Sequence, residues 1–151
     1  MAWCSSAEGQ RFAEIVSEVT ESIRNQGKFV PESVSLELEA AEMTAKSEIL
    51  RWLVGKEVSL TTKGDVYGRK WEANRFKEIL HAALEREYQK NLICMAIKQG
   101  ETSVRDISKL TGIENKRISC LISDLEKNSQ IVFKGHHEGI PEFESMLSEM
   151  S

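Results

Sequence analysis

The side chains of this 151-residue chain that could do chemistry are few and scattered. Cys4, Cys94 and Cys120 stand far apart, so they form neither a Cys-x-x-Cys metal site nor a disulfide framework. Their spacing predicts reduced thiols packed as small hydrophobes. His136 and His137 are adjacent, and neighbours in an extended segment point to opposite faces, so one metal ion could take both only in an irregular loop. With His81 the one other histidine, no metal site is expected. The chain has no Walker loop, no Gly-x-Ser-x-Gly and no His-Glu-x-x-His. Its carboxylates fall on what read as solvated helix faces, with no pair placed as general acid and base. Neither a catalytic residue nor a bound cofactor is therefore expected.

Binding chemistry is better represented. In KGDVYGRKW, residues 63–71, Gly64, Asp65 and Gly68 are turn residues that enclose Val66 and Tyr67, two side chains a free surface loop rarely needs. The favoured expectation is a tight turn anchored by a buried Tyr67. The functional alternative is a partner-docking loop made of Gly64, Asp65, Val66, Tyr67 and Gly68, with Phe143 as a second docking candidate near the C-terminus. A nucleic-acid alternative rests on ENKRISCLIS, where Asn115, Lys116, Arg117 and Ser119 are types that contact phosphates and base edges. Charge weighs against it. The chain has 20 Lys+Arg against 24 Asp+Glu, a formal net charge of −4. Glu101–Gly135 holds six basic residues against five acidic ones, followed by an acidic tail. Protein contact is favoured over DNA.

These residues need elements to position them. A capping-box spacing from Ser5 to Glu8, then Phe12, Ile15, Val16, Val19 and Ile23 at helical intervals, predict a helix over about 7–24 that stops at Gly27. Pro31 opens a second, long helix to Val54, with Val34, Leu38, Ala41, Ala45, Ile49 and Trp52 as its leading apolar row and Leu36, Ala40, Met43 and Leu50 as another. Gly55 is expected to end it, and the β-branched residues of 57–62 read as a short strand. A third helix runs from Glu72 to about Lys90 or beyond, with Phe76, Ile79, Leu80, Ala83 and Leu84 inward, and apolar helix continues to Gly100. Next come a short helix capped near Thr102 or Ser103, a turn through Thr111-Gly112, and a helix over about 114–128. That is the layout of a helix-turn-helix. Two short strands, Ile131–Phe133 and Ile140–Phe143, around a loop over 134–139 make it a winged helix.

The opening WCSSAEGQRFAEIVSEVTESIRNQG resembles the C-terminal end of the methyl-viologen-reducing hydrogenase delta-subunit family. The likeness lies in Ser5, Ala7, Glu8, Gly9, Phe12, Ala13 and Gly27, with Trp3-Cys4 as the closing strand. RWLVGKEVSLTTKGDVYGRKW and the winged helix after it resemble a tail on some longer relatives, with Asp65 in place of the Asn of a Gly-Asn-Val-Tyr-Gly loop.

The resemblance implies a mainly α chain: a remnant strand–helix end of an α/β domain over 1–27, a connecting helix and loop over 28–71, and a winged helix with a small β-wing over 72–151. It further implies an accessory or truncated subunit of a hydrogenase or heterodisulfide-reductase-type electron-transfer complex. The family's iron–sulfur ligands would lie in a part not present, since three cysteines cannot supply the four thiolates of an all-Cys cluster. Expected partners are protein subunits of such a complex, with a homodimer as a further expectation. With no apolar run of 18 residues and no secretory leader, a cytoplasmic chain away from membranes is expected.

Overall fold

The computed structural model describes residues 9–28 and 30–146. Trp3, Cys4 and the Ser5–Glu8 cap lie outside the described residues, so the expected closing strand does too. Among the described residues the chain is mainly helical, with one two-stranded antiparallel sheet. It divides into two units, 1–34 and 35–151.

The first unit holds helix α1 (Gly9–Gln26) and a single 3-10 turn, Pro31–Val34. Gly27, at φ +73°, ends α1 in the left-handed conformation anticipated from its sequence. No residue of α1 is buried.

The second unit is built around helix α4 (Ala73–Lys98). All eight residues from Lys90 to Ile97 are buried, which requires neighbours on every side of that half of the helix. Helix α2 (Ser35–Lys46) packs on it, as do α5 (Val104–Thr111), α6 (Asn115–Lys127) and the second strand of the hairpin β1 (Ile131–His137) and β2 (Ile140–Ser145). Leu36, Ala40, Ile93, Ala96, Ile107, Ile118, Leu121, Leu125, Ile131 and Phe143 belong to one core.

Three expectations about the segment before α4 are corrected. The long helix of 31–54 breaks at Ser47 (φ −57°, ψ 127°), which separates α2 from α3 (Glu48–Val58) and lets each present its own apolar row to α4. The inward row is Leu36, Ala40 and Thr44, followed by Leu50 and Leu53, whereas Leu38, Ile49 and Trp52 of the leading row are exposed. A polar requirement selects it: buried Asn91 donates from Nδ2 to Thr44 Oγ1 at 2.9 Å, and Thr44 Oγ1 donates to the Ala40 carbonyl at 2.6 Å. The third correction is the strand over 57–62. Gly55 does not end α3, and Ser59–Lys63 continues it as a π-turn. The Thr61 hydroxyl donates to the Glu57 carbonyl at 2.7 Å and Thr62 bonds Val58 likewise, so these β-branched residues are accommodated in a helical backbone.

The α5–α6 pair forms as its spacing suggests. Ser103 Oγ accepts from the Asp106 N–H at 3.2 Å and donates to Asp106 Oδ2 at 2.6 Å, capping α5. Gly112, at φ +71°, ends it, and its N–H donates to the Ser108 carbonyl at 2.9 Å. The hairpin reaches further than the expected loop: β1 continues to His137 and pairs with Ile140 across Glu138-Gly139, both at positive φ, the requirement of a tight two-residue hairpin turn. The Phe143 N–H donates to the Thr102 carbonyl at 3.1 Å, which ties β2 to the start of α5.

Candidate functional site

The loop between the π-turn and α4 is held by its own polar groups. Gly64 takes φ +102°, and its N–H donates to the Ser59 carbonyl at 3.0 Å. Asp65 closes the turn: Oδ1 accepts from the Tyr67 N–H at 2.9 Å and the Arg69 N–H at 3.0 Å, while Oδ2 accepts from Arg69 Nε at 3.0 Å. The Asp65 N–H donates back to the Arg69 carbonyl and the Gly68 N–H to the Asp65 carbonyl, both at 2.9 Å. The Arg69 N–H, then the Tyr67 N–H and the Arg69 guanidinium, hold the Asp65 carboxyl below its ordinary value near 3.8. At the base, the Trp71 N–H donates to the Leu60 carbonyl at 3.1 Å.

This closure makes an inward anchor unnecessary, and the expectation of a buried Tyr67 is corrected. Tyr67 is 78% exposed and Val66 94%. The Arg69 guanidinium carbon sits 4.9 Å from the Tyr67 ring centre, a cation–π contact that orients the ring in solvent. Gly64, Asp65 and Gly68 therefore shape the loop, and Val66 and Tyr67 are what it displays. Beside them lies a cleft of about 500 Å³ lined by Asp65, Arg69, Lys70, Trp71, Glu72 and Arg75. Arg69 is a loop-closing residue that the turn motif alone does not mark; its signal in the sequence is an Arg four residues after a turn Asp with an aromatic between them.

The other candidates lie apart from this loop in the chain and do not share one role. Phe143 is buried, its ring centre 5.9 Å from that of Phe133 in an edge-on contact, so it serves the core. At the start of α6, Asn115, Lys116 and Ser119 are exposed, and Ser119 Oγ donates to the Asn115 carbonyl at 3.0 Å. Arg117 differs. It is half-buried and its Nε donates to Gln89 Oε1 of α4 at 2.7 Å. Arg86 of α4 pairs with Asp124, about two turns further along the same face of α6, so these polar links hold α6 against α4.

No family model, no curated protein and no solved structure matches this chain.

His136 and His137 are both exposed, and the His136 ring lies 5.1 Å edge-on from Phe133. Among the described residues no group of three or more His, Cys, Asp or Glu side chains converges on a point a metal could occupy. Cys94 is buried and Cys120 exposed. Burial pushes the Cys94 thiol up to about 12, partly opposed by the nearby Lys90 charge. Among the described residues no helix is long and apolar enough to cross a membrane.

Proposed function

We propose that the chain is a cytoplasmic docking subunit of a hydrogenase or heterodisulfide-reductase-type electron-transfer complex, contributing protein contact and no cluster ligands of its own. The segment from α4 to β2 is a winged helix serving as scaffold. The observation that carries this reading is the exposure of Val66 and Tyr67 on a loop already ordered by Asp65 and Arg69. Two exposed apolar side chains on a preformed loop lose little freedom on binding, the property of an interface anchor. Aromatic residues with a neighbouring Arg are enriched at such centres.

The resemblance of residues 1–27 and of the Gly-Asp-Val-Tyr-Gly loop supplies the class of partner. Arg117 supports docking over DNA contact, because its guanidinium is engaged by Gln89 and Lys116 is left as the exposed basic residue of the pair.

The test is interferometry of the purified chain on immobilised heterodisulfide-reductase-type and hydrogenase subunits. Val66→Ser/Tyr67→Ser is expected to weaken binding by about 10-fold or more, while Lys116→Ala leaves it unchanged. Circular dichroism of both variants should match the wild type. Absence of wild-type binding, an unchanged affinity for the loop variant, or sequence-selective submicromolar binding of duplex DNA that Lys116→Ala abolishes would each reject the proposal.

A further inference from the structure

The cleft beside the displayed loop gathers cations in a chain that is acidic as a whole. Residues 63–77 hold five basic side chains against two acidic ones, whereas the chain has 20 Lys+Arg against 24 Asp+Glu. Three of the five, Arg69, Lys70 and Arg75, line the cleft of about 500 Å³. Arg69 is committed to Asp65 through Nε at 3.0 Å and to the Tyr67 ring. Lys70 and Arg75 are exposed, and among the described residues neither is in an ion pair. Trp71 gives the cleft a fixed wall: it is half-buried, its N–H donates to the Leu60 carbonyl at 3.1 Å, and its ring centre lies 6.5 Å from that of buried Phe76. Cations gathered around one opening repel each other, and an anion that enters relieves the repulsion.

We infer that this cleft receives an acidic segment of the docking partner, whose Asp or Glu carboxylates pair with Lys70 and Arg75. The inference rests on the docking role of the Val66–Tyr67 loop and adds the chemistry of what docks beside it. Arg takes a carboxylate through paired N–H donors and Lys takes one as a point charge, so the two can hold neighbouring acidic side chains.

The spacing of charge selects a peptide over a nucleic-acid strand. A strand brings a phosphate at every nucleotide and is held along a continuous basic groove. Here Glu72 lines the same cleft as the cations, and among the described residues no ion pair neutralises it. Separated carboxylates can pass Glu72, whereas an unbroken row of phosphates must face it. Exposed Val66 and Tyr67 at the cleft's edge suit the apolar side chains between those carboxylates.

Fluorescence anisotropy of the full chain tests this with labelled peptides of about twelve residues, in which Glu and Asp alternate with Leu and Phe. The acidic peptide should bind, more weakly as salt rises from about 50 to 300 mM, and its Gln/Asn counterpart should bind about 10-fold or more weakly. Lys70→Glu/Arg75→Glu should weaken the acidic peptide by about 10-fold or more and bind a Lys-substituted version of it in its place. Lys116→Glu/Lys127→Glu makes the same change in net charge on α6 and should stay within about threefold. All variants should keep the wild-type circular dichroism. No wild-type binding of the acidic peptide, an unchanged affinity after reversal at Lys70 and Arg75, an equal loss in the α6 control, or tighter binding of an oligothymidylate would each overturn the inference. Val66→Ser/Tyr67→Ser separates it from the reading it rests on. Affinity lost there but untouched by the charge reversal rejects the cleft and keeps the loop, whereas loss on charge reversal alone keeps the cleft and rejects the loop as anchor.

Discussion

Replacing Gly64 with Ala tests whether the displayed loop is a built structure or a slack connection. Gly64 sits at φ +102°, ψ 176°, a region open almost only to glycine, and holding another residue there costs about 1–3 kcal/mol. A Cβ at that position would also lie 3.0 Å from the Gly68 carbonyl carbon and 3.1 Å from the carbonyl carbon and oxygen of Arg69. All three are backbone atoms of the turn that Asp65 closes, so relief means opening the turn. Against this, Ala restricts the unfolded chain and returns about 0.4–1 kcal/mol. The difference is about 0–2.6 kcal/mol from the backbone alone, and the three close contacts add to it, so a net loss of about 1–3 kcal/mol is expected.

Gly68 provides the internal comparison. It takes φ +75°, but an added Cβ there meets nothing within 4 Å. Only the left-handed penalty of about 1–2 kcal/mol applies, less the same unfolded-state gain. Gly64→Ala should therefore be the more destabilising by about 1 kcal/mol, read from urea unfolding followed by circular dichroism. Amide exchange at Tyr67 and Arg69, whose N–H groups Asp65 holds, should accelerate in Gly64→Ala more than in Gly68→Ala. Equal stabilities for the two variants, or the reverse order, would refute the claim that the loop geometry is over-determined.

Two further outcomes follow from buried groups. Thr44→Val leaves the Asn91 amide without the acceptor it has at 2.9 Å and should cost about 1–3 kcal/mol, whereas Thr44→Val/Asn91→Leu should cost less than the sum of its parts by about 1 kcal/mol in urea unfolding; strict additivity would deny the coupling. With iodoacetamide at about pH 8, the exposed Cys120 should be alkylated in the native chain while Cys94, buried and with its thiol pushed up to about 12, reacts only on denaturation; peptide mass mapping that finds the two equally labelled would count against the packed core around α4.

What could be read in advance divides by the kind of interaction responsible. The α5–α6 pair is legible because its signals are local and redundant: a cap residue at Thr102 or Ser103, Gly112 after Thr111, and Ile107, Ile118, Leu121 and Leu125 at helical spacing, all four buried. Gly27 and the hairpin strands were legible for the same reason. The break at Ser47 was not, since no Pro or Gly marks it and its cause is tertiary: α2 and α3 must both face α4. The choice of the Leu36–Ala40–Thr44 row was hidden because apolar counting favours the other row, and a buried Asn91 47 positions away decides it. Tyr67 misled because aromatic anchors are common, whereas this turn is closed by a carboxylate.

The distribution of exposed apolar surface narrows where unit 35–151 can engage a partner. Ile49, Trp52, Val54, Val58, Val66 and Tyr67 are each more than half exposed, and all lie between α3 and the loop that precedes α4. Leu50 and Leu53 hold the buried row of α3, so its remaining apolar residues flank that row and cannot also be absorbed by the core. By contrast, α6 buries Ile118, Leu121, Ile122 and Leu125 and spends Arg117 and Asp124 on links to α4. Outside this stretch, Ile140 and Met146 by the hairpin are comparably exposed, but six such side chains grouped in one stretch mark an interaction surface more strongly than residues scattered singly. The stretch from Ile49 to Tyr67 is therefore where the proposed docking contact would fall, next to the core that α4 forms with α2, α5, α6 and the hairpin.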